Sequence, residues 1–145
     1  MLYLDYAANT PVDPRVMDYY IEHSNRYIAN PNSSHPLGKE ARGRMDEITE
    51  HIAELLRVKP SEIIYTSGAS EANNLAIKGV VQAYKHNGKH IISTCLEHSS
   101  VSGALTYLQT LGYEIDLVDI TSDGLIDLKH LKELLRKDTV LVSVC

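Results

Sequence analysis

From residue 62 onward, short β-branched runs alternate with longer amphipathic runs, and this alternation restricts the folds available to the chain. The strand patterns lie at 62–66, 90–94, 113–119 and 139–144. Apolar residues at helical spacing follow each of the first three, which predicts a helix between successive strands. Strands that alternate with helices in this way form βαβ units around a largely parallel sheet. The sequence therefore predicts an α/β fold.

The last predicted strand, 139–144, is an apolar run that ends next to the final residue of the sequence. Such a run in a parallel sheet is normally buried on both faces, so we predict that it lies centrally. A free-standing domain seldom ends within a strand, and we therefore expect the chain to be a piece of a larger protein. An open hydrophobic strand also exposes an edge for pairing, which predicts self-association.

The first 56 residues contain two helical patterns separated by a loop pattern. Asp13 followed by Pro14 is typical of an N-cap and a first helical residue, and this helix is predicted to end at about Tyr27 or Ile28. The run 30–36 is too rich in Asn, Pro and Ser for a regular element and is predicted to be a loop. Apolar residues spaced by three and four over 37–56 then predict a long amphipathic helix.

The charge and cysteine content argue against several classes of protein. The formal net charge is −5 and no Lys/Arg cluster occurs, which argues against a general affinity for nucleic acid. No apolar run approaches the ~20 residues of a membrane span, and the N-terminus lacks a basic-then-apolar signal pattern. The two cysteines, Cys95 and Cys145, do not form a disulfide framework, so a reducing cytoplasm is predicted.

The junction IIYTSGASEANN, residues 63–74, is the strongest local sign of a ligand. Gly68 allows close backbone approach, and a helix N-terminus offers unpaired N–H donors and a partial positive charge that suit a phosphate. The hydroxyls of Ser67 and Ser70 can add hydrogen bonds. The same residues also fit an ordinary serine-capped helix, and this stretch alone favours neither interpretation. It matches neither the P-loop nor the GxGxxG pattern.

His98 follows the strand pattern that ends at Thr94. Ligands of open α/β sheets bind outside the carboxyl ends of the strands, so His98 and the Ser67–Ser70 turn are predicted to share that edge. An imidazole there can stack on a flat cofactor or transfer protons near neutral pH. The alternative is a solvent-facing histidine at a helix start.

No metal site is predicted, because a zinc-ligand spacing is absent from the set His86, His90, Cys95 and His98. The strand between these residues would also separate them to different edges of the sheet. A nucleophile–base pair of Cys95 and His98 lacks an obvious group to orient the base.

Taken together, six segments resemble those of the cysteine desulfurases, a group within the class V aminotransferase family of fold-type I pyridoxal-phosphate (PLP) enzymes. They are LDYAANTPVDPRV (4–16), NPNSSH (30–35), IIYTSGASEANNLAIKG (63–79), EHSSV (97–101), DGLIDL (123–128) and DTVLVSV (138–144). The resemblance implies a three-layer sandwich with a largely parallel sheet, the incomplete large domain of such an enzyme. It divides the chain into an N-terminal segment with a helix and active-site loop, 1–35, and a partial PLP-binding large domain, 36–145.

The resemblance also implies roles for individual residues. The turn Gly68, Ala69 and Ser70 would hold the PLP phosphate through backbone N–H groups and the Ser70 hydroxyl, where the family usually has Thr. His98 would stack on the pyridine ring and take part in acid–base steps. The substrate approach and the dimer contact would be lined by the segments that contain Ala8, Asn9, Asn30 and His35. Asn9 stands where a Thr is frequent.

The reaction implied by the resemblance converts L-cysteine to L-alanine and an enzyme persulfide, whose sulfur passes to an acceptor protein, as in iron–sulfur cluster assembly. The family's Schiff-base lysine and sulfur-accepting cysteine match no residue in 1–145, and neither Lys78 nor Lys85 takes the lysine's role. This chain alone is therefore expected to be inactive, to bind PLP non-covalently at best, and to form a homodimer or self-associate. Two alternatives remain: a non-catalytic truncated module or pseudo-enzyme that binds a partner or a phosphate compound, and a small nucleotide-binding α/β domain.

Overall fold

The computed structural model of the chain describes residues 2–145. Its helices are α1 (Pro14–Arg26), α2 (Pro36–Leu56), α3 (Ala69–Ala83), α4 (Ser99–Thr110) and α5 (Leu128–Leu134), and its strands are β1 (His90–Thr94), β2 (Glu114–Val118) and β3 (Thr139–Val142). Two compact units are present, Met1–Ile64 and Tyr65–Cys145. The functional division predicted at residue 35 stays a prediction. Within the described part of the chain, no helix is long and apolar enough to cross a membrane.

In the first unit, both helices begin where the sequence provides a cap followed by proline. The Asp13 carboxylate accepts from the backbone N–H of α1, and Pro14 occupies the first helical position, as predicted. At the start of α2, the Nδ1 atom of His35 accepts the N–H of Gly38 at 3.2 Å. A histidine therefore takes the capping role that Ser, Thr or Asp usually has.

The sheet of the second unit is parallel and has the order β2-β1-β3. Helix α4 leads from β1 to β2, and α5 leads from β2 back across to the other side of β1. The direction of the connections therefore reverses at β1, and a crevice outside the carboxyl ends of the strands is expected at such a point. All five residues of β1 are buried, as expected for a strand with neighbours on both sides.

Helices α3 and α4 pack against each other and against one face of this sheet. The core of the unit consists of Ile77, Val81, Ile91, Val101, Ala104, Leu105 and Leu108. Ile91 is completely inaccessible to solvent. Burying one such side chain contributes about 2 kcal/mol to folding. This packing fixes the positions at which α3 and α4 begin.

Two strand predictions are wrong. Residues 62–66 are not a strand, since Pro60–Glu62 form a 3-10 turn and the sheet consists of β1, β2 and β3 alone among the described residues. β-branched composition gives a preference for extended backbone, but a strand also needs a ladder neighbour. The apolar run 139–144 lies at the edge of the sheet instead of its centre, and only 139–142 belong to β3. Because α5 returns the chain to the free side of β1, β1 takes the central place.

Candidate functional site

The start of α3 presents free backbone donors to an open space. The first intrahelical bond runs from the N–H of Ala72 to the carbonyl oxygen of Gly68, at 3.1 Å. The N–H groups of Ala69, Ser70 and Glu71 have no acceptor within residues 2–145. A Cβ atom added to Gly68 would meet no atom within 4 Å. Three donors, the positive end of the helix dipole and free space in front of them form a site suited to a phosphate.

Ser67 does not belong to this set of free donors. Its backbone N–H and its hydroxyl both donate to Oε2 of Glu71, at 2.6 and 2.7 Å. These two bonds, the backbone one foremost, lower the pKa of Glu71. In this structure the Ser67 hydroxyl is thus engaged by a carboxylate of the chain, and its expected contribution to a phosphate stays a prediction. The serine-cap interpretation is wrong, since the N-cap residue is Gly68.

Ser70, in contrast, keeps its hydroxyl available. Its side chain is exposed, and its Oγ atom has no hydrogen-bond partner in the part of the chain that the structure describes. The carbonyl oxygen of Ser70 accepts the side-chain amide of Asn74 at 2.9 Å. The hydroxyl therefore lies beside the free N–H groups of the first turn and can donate to the same anion.

His98 is the N-cap residue of α4 and stands in the connection that follows β1. Its Nδ1 atom accepts the backbone N–H of Ser100 at 3.2 Å and lies 2.9 Å from the Ser100 hydroxyl. A backbone N–H can only donate, so Nδ1 is the unprotonated acceptor and the neutral ring has its proton on Nε2. The His98 side chain is exposed. Its free edge is thus Nε2–H, open to a ligand or to water.

One hydrogen bond brings His98 and the start of α3 together. Asn73, in the second turn of α3, donates its side-chain amide to the hydroxyl of Ser100 at 2.9 Å. Ser100 lies in the first turn of α4, two residues after His98. The N-terminal ends of α3 and α4 therefore lie side by side. The phosphate-type turn and the imidazole are both found there, at the carboxyl edge of the sheet.

The four residues expected on the substrate side all lie in the first unit. Ala8 and Asn9 form a turn in which both N–H groups donate to the carbonyl oxygen of Asp5, at 3.2 and 3.3 Å. The Asn30 side-chain oxygen accepts a backbone N–H two residues later at 2.8 Å. His35 caps α2 as described above. Each of these residues is exposed and held by local bonds.

Two further candidate residues, His90 and Lys78, make structural contacts. His90 is buried within the sheet and not beside His98. The ammonium group of Lys78 lies 4.7 Å from the centre of the Tyr107 ring, a cation–π distance. Across residues 2–145, no three His, Cys, Asp or Glu side chains come together in a way that could hold a metal ion.

Sequence reasoning missed three residues of the site: Glu71, Asn73 and Ser100. A glutamate at the third helical position is a known signal for a reach back toward the helix start. A serine two residues after a helix-capping histidine places a donor beside the ring, and this signal was also present. The Asn73–Ser100 contact joins residues 27 apart in sequence, and no local pattern predicts it.

Comparison with known proteins gives a consistent result. The sequence model of the aminotransferase class-V family matches residues 2–145. The mitochondrial cysteine desulfurase of Candida albicans is 46% identical over 144 residues, which are 99% of this chain and 30% of that protein. The cysteine desulfurase IscS of Neisseria meningitidis is 44% identical over 144 residues, which are 99% of this chain and 36% of that protein. The chain spans about a third of the length of these curated relatives.

Solved structures also superpose on nearly the whole of this chain. A NifS-like protein superposes with a TM-score of 0.92 and 37% identity, over 99% of this chain and 39% of its own. SspA in complex with cysteine superposes with a TM-score of 0.87 and 34% identity, over 98% of this chain and 41% of its own. The predicted α/β fold with a parallel sheet and the resemblance to cysteine desulfurases are thereby confirmed. Because the family model matches all but the first residue, this chain belongs to the aminotransferase class-V family.

Proposed function

We propose that the chain is the N-terminal part of a PLP-dependent cysteine desulfurase, and that it provides the phosphate-side half of the PLP site. The observation that supports this most directly is the Asn73–Ser100 hydrogen bond, which sets the free donors of α3 beside His98. PLP has a phosphate at one end and a flat aromatic ring at the other. A site for it needs an anion-binding group and a stacking surface a short distance apart.

The donor set at the start of α3 fits the phosphate of PLP. Ala69, Ser70 and Glu71 provide backbone N–H groups that lack acceptors among the described residues, and Ser70 adds a hydroxyl. Charge-assisted hydrogen bonds of this type are about twice as strong as neutral ones. The open space at Gly68 leaves room for the phosphate oxygens to reach these donors.

His98 fits the other end of the cofactor. Its ring is exposed, and its Nδ1 edge is held by two donors from Ser100. Holding one edge leaves a flat face for stacking and the Nε2–H for exchange of a proton with substrate. PLP itself acts as an electron sink in reactions of amino acids. The part assigned to His98 is to hold the ring in place and to move a proton at Nε2.

We propose L-cysteine as the substrate and a sulfur acceptor protein as the partner, in a cytoplasmic homodimer. The names of the relatives and the cysteine complex of the SspA neighbour support the substrate. Ala8, Asn9, Asn30 and His35 are assigned to the substrate approach, since they are exposed and held in fixed local conformations. Cys95 and Cys145 are free and exposed, which favours a reducing compartment.

Equilibrium dialysis with PLP, pyridoxal and inorganic phosphate tests the proposed cofactor. We expect PLP to bind weakly, pyridoxal to bind at least about tenfold more weakly because it lacks the phosphate, and phosphate to compete. Borohydride reduction followed by mass mapping is expected to give no stoichiometric adduct on a single lysine. Equal binding of PLP and pyridoxal, or a specific lysine adduct, would contradict the proposal. Binding of unrelated phosphate compounds as tightly as PLP would favour a general phosphate-binding module.

A further inference from the structure

A chain of hydrogen bonds runs from α3 through α4 to the imidazole of His98. The Asn73 amide nitrogen lies 2.9 Å from the Ser100 hydroxyl, and that hydroxyl lies 2.9 Å from His98 Nδ1. The Ser100 backbone N–H reaches the same Nδ1 atom at 3.2 Å. Asn73 and Ser100 are half-buried, and the His98 ring is exposed. The two partners are thus partly shielded from water, while the ring is open to it.

The direction of each hydrogen bond follows from the groups involved. The amide nitrogen of Asn73 can only donate, so the Ser100 oxygen accepts from it and is left with its own proton to donate. His98 Nδ1 already accepts from a backbone N–H and is therefore unprotonated. The Ser100 proton thus points to Nδ1. The three groups form one consistent set, in which the Asn73 amide orients the hydroxyl and the hydroxyl supports the ring.

We propose that Asn73 and Ser100 are positioning residues that hold the His98 ring as the tautomer with its proton on Nε2. What that ring then does rests on the proposed function above, but the tautomer does not. A ring fixed in this way presents one donor, Nε2–H, at a constant orientation. A neutral histidine that is free to rotate and to exchange tautomers would present that donor only part of the time.

Variants of the two residues separate orientation of the ring from simple packing. Ser100→Ala removes the hydroxyl, and Ser100→Thr keeps it. Asn73→Asp is nearly the same size, but its carboxylate accepts a hydrogen bond instead of donating one. The Ser100 proton would then turn toward residue 73 and leave Nδ1 with the backbone N–H alone. Ser102→Ala is the matched control, since Ser102 lies on the same helix and its hydroxyl is 3.5 Å from the Ser99 carbonyl oxygen.

The measurement is the ¹⁵N chemical shift of both ring nitrogens of His98 in the 145-residue chain without PLP, recorded near pH 8.5, about two units above the ordinary pKa of histidine. We expect wild type, Ser100→Thr and Ser102→Ala to have the proton on Nε2. Ser100→Ala and Asn73→Asp are expected to show a measurable Nδ1–H population. Thermal melts identify any variant that fails to fold, and Asn73→Ala takes the place of Ser100→Ala or Asn73→Asp if either of these two does. Ring shifts that are the same in all folded variants would overturn the proposal.

PLP binding then distinguishes this proposal from the proposed function. We expect Ser100→Ala to weaken PLP binding by about fivefold, the effect of one hydrogen bond, and Ser100→Thr to restore it. If the ring shifts change as expected but wild type does not bind PLP, the tautomer assignment stands and the proposed function is wrong. If wild type binds PLP but the ring shifts do not respond to Ser100→Ala or Asn73→Asp, the positioning proposal alone is wrong.

Discussion

The Nε2 atom of His90 on β1 lies 3.0 Å from the carboxylate of Asp116 on the neighbouring strand β2. The other ring nitrogen lies 2.7 Å from the hydroxyl of Thr139 on β3. His90 is completely buried, and its ring therefore bridges all three strands with both nitrogens in use. Buried polar groups stabilise a fold only when they are paired, and here both are.

Replacement of His90 should therefore lower the free energy of unfolding by more than the loss of its side-chain volume alone would. We expect His90→Ala to lower the free energy of unfolding by about 3 kcal/mol, because it leaves a cavity and two polar groups without their partner. Urea denaturation of the chain measures this. The control is His86→Ala, an exposed position, which is expected to change the value by less than about 0.5 kcal/mol. Equal midpoints for the two variants would show that the bridge contributes nothing.

Gly38 and Gly43 of α2 form a matched pair for a test of the 30–35 loop. A Cβ atom at Gly38 would lie 2.8 Å from Ser33 Cβ and 2.9 Å from the carbonyl oxygen of Asn30, whereas at Gly43 it would meet nothing within 4 Å. We expect Gly38→Ala to destabilise the chain by at least about 1 kcal/mol, and Gly43→Ala to stabilise it by up to about 1 kcal/mol through helix propensity. Denaturation midpoints that move in the same direction would contradict the close loop contact.

The glycine and serine of the phosphate-type turn should affect binding without affecting folding. Gly68→Ala meets no protein atom, and the extended backbone at this residue suits any side chain, so the melting temperature is expected to stay the same. An added methyl group would occupy the space assigned to the phosphate. Ser70→Ala removes one donor. We expect each variant to bind PLP about tenfold more weakly, measured by dialysis. Loss of folding in Gly68→Ala, or wild-type affinity in both, would argue against a phosphate at this turn.

Acid should weaken the fold partly through Asp138. The Arg136 guanidinium donates to this carboxylate and lowers its pKa to about 2. An aspartate in the unfolded chain has a pKa of about 3.9, so the stabilisation is present above about pH 4 and is lost as the pH falls toward 2. We expect Asp138→Asn to show a smaller fall in urea midpoint between about pH 5 and pH 2 than wild type. Asp123→Asn, at an exposed turn, serves as the control and should retain the wild-type slope.

The outer edge of β3 should promote self-association. β3 pairs with β1 on one side only among the described strands, and the Val142 side chain is 40% exposed. Flat apolar edges of this kind pair with other chains, and a charged residue prevents it. We expect Val142→Lys to lower the apparent mass measured by light scattering at high protein concentration. A monomeric wild-type chain, or an unchanged mass in the variant, would exclude association through this edge.

Local signals predicted most of the elements. The cap and proline at Asp13 and Pro14 located the start of α1, and the patterns at 90–94 and 113–119 located β1 and β2 to within a residue. These features depend on neighbours in sequence, so a sequence is enough to find them. The strand predicted at 62–66 failed for the opposite reason. Whether an extended segment joins a sheet depends on a partner strand, and composition does not specify one.

The connections within the site depend on the tertiary fold, and for that reason the sequence located the groups but not their partners. Gly68 and His98 were expected at one sheet edge because each was predicted to follow a strand, and this holds for His98 after β1 but not for Gly68, since 62–66 is not a strand. The contact that joins their helices, Asn73 to Ser100, exists only because α3 and α4 pack against the same face. Likewise, the Glu71 carboxylate accepts hydrogen bonds from both the backbone N–H and the hydroxyl of Ser67, an acceptor that the sequence analysis did not anticipate.

The order β2-β1-β3 also determines when β1, the strand that leads to His98, gains both of its neighbours during synthesis. β1 can pair with β2 as soon as residues 114–118 have left the ribosome, but its other side waits for 139–142. Until then the strand that leads to His98 has an unpaired side, and His90 lacks the hydroxyl of Thr139. A nascent chain in this state exposes a buried strand to other chains, which is when misassembly is most frequent. Slow translation between β2 and β3 would therefore lengthen the period in which β1 can pair with another chain.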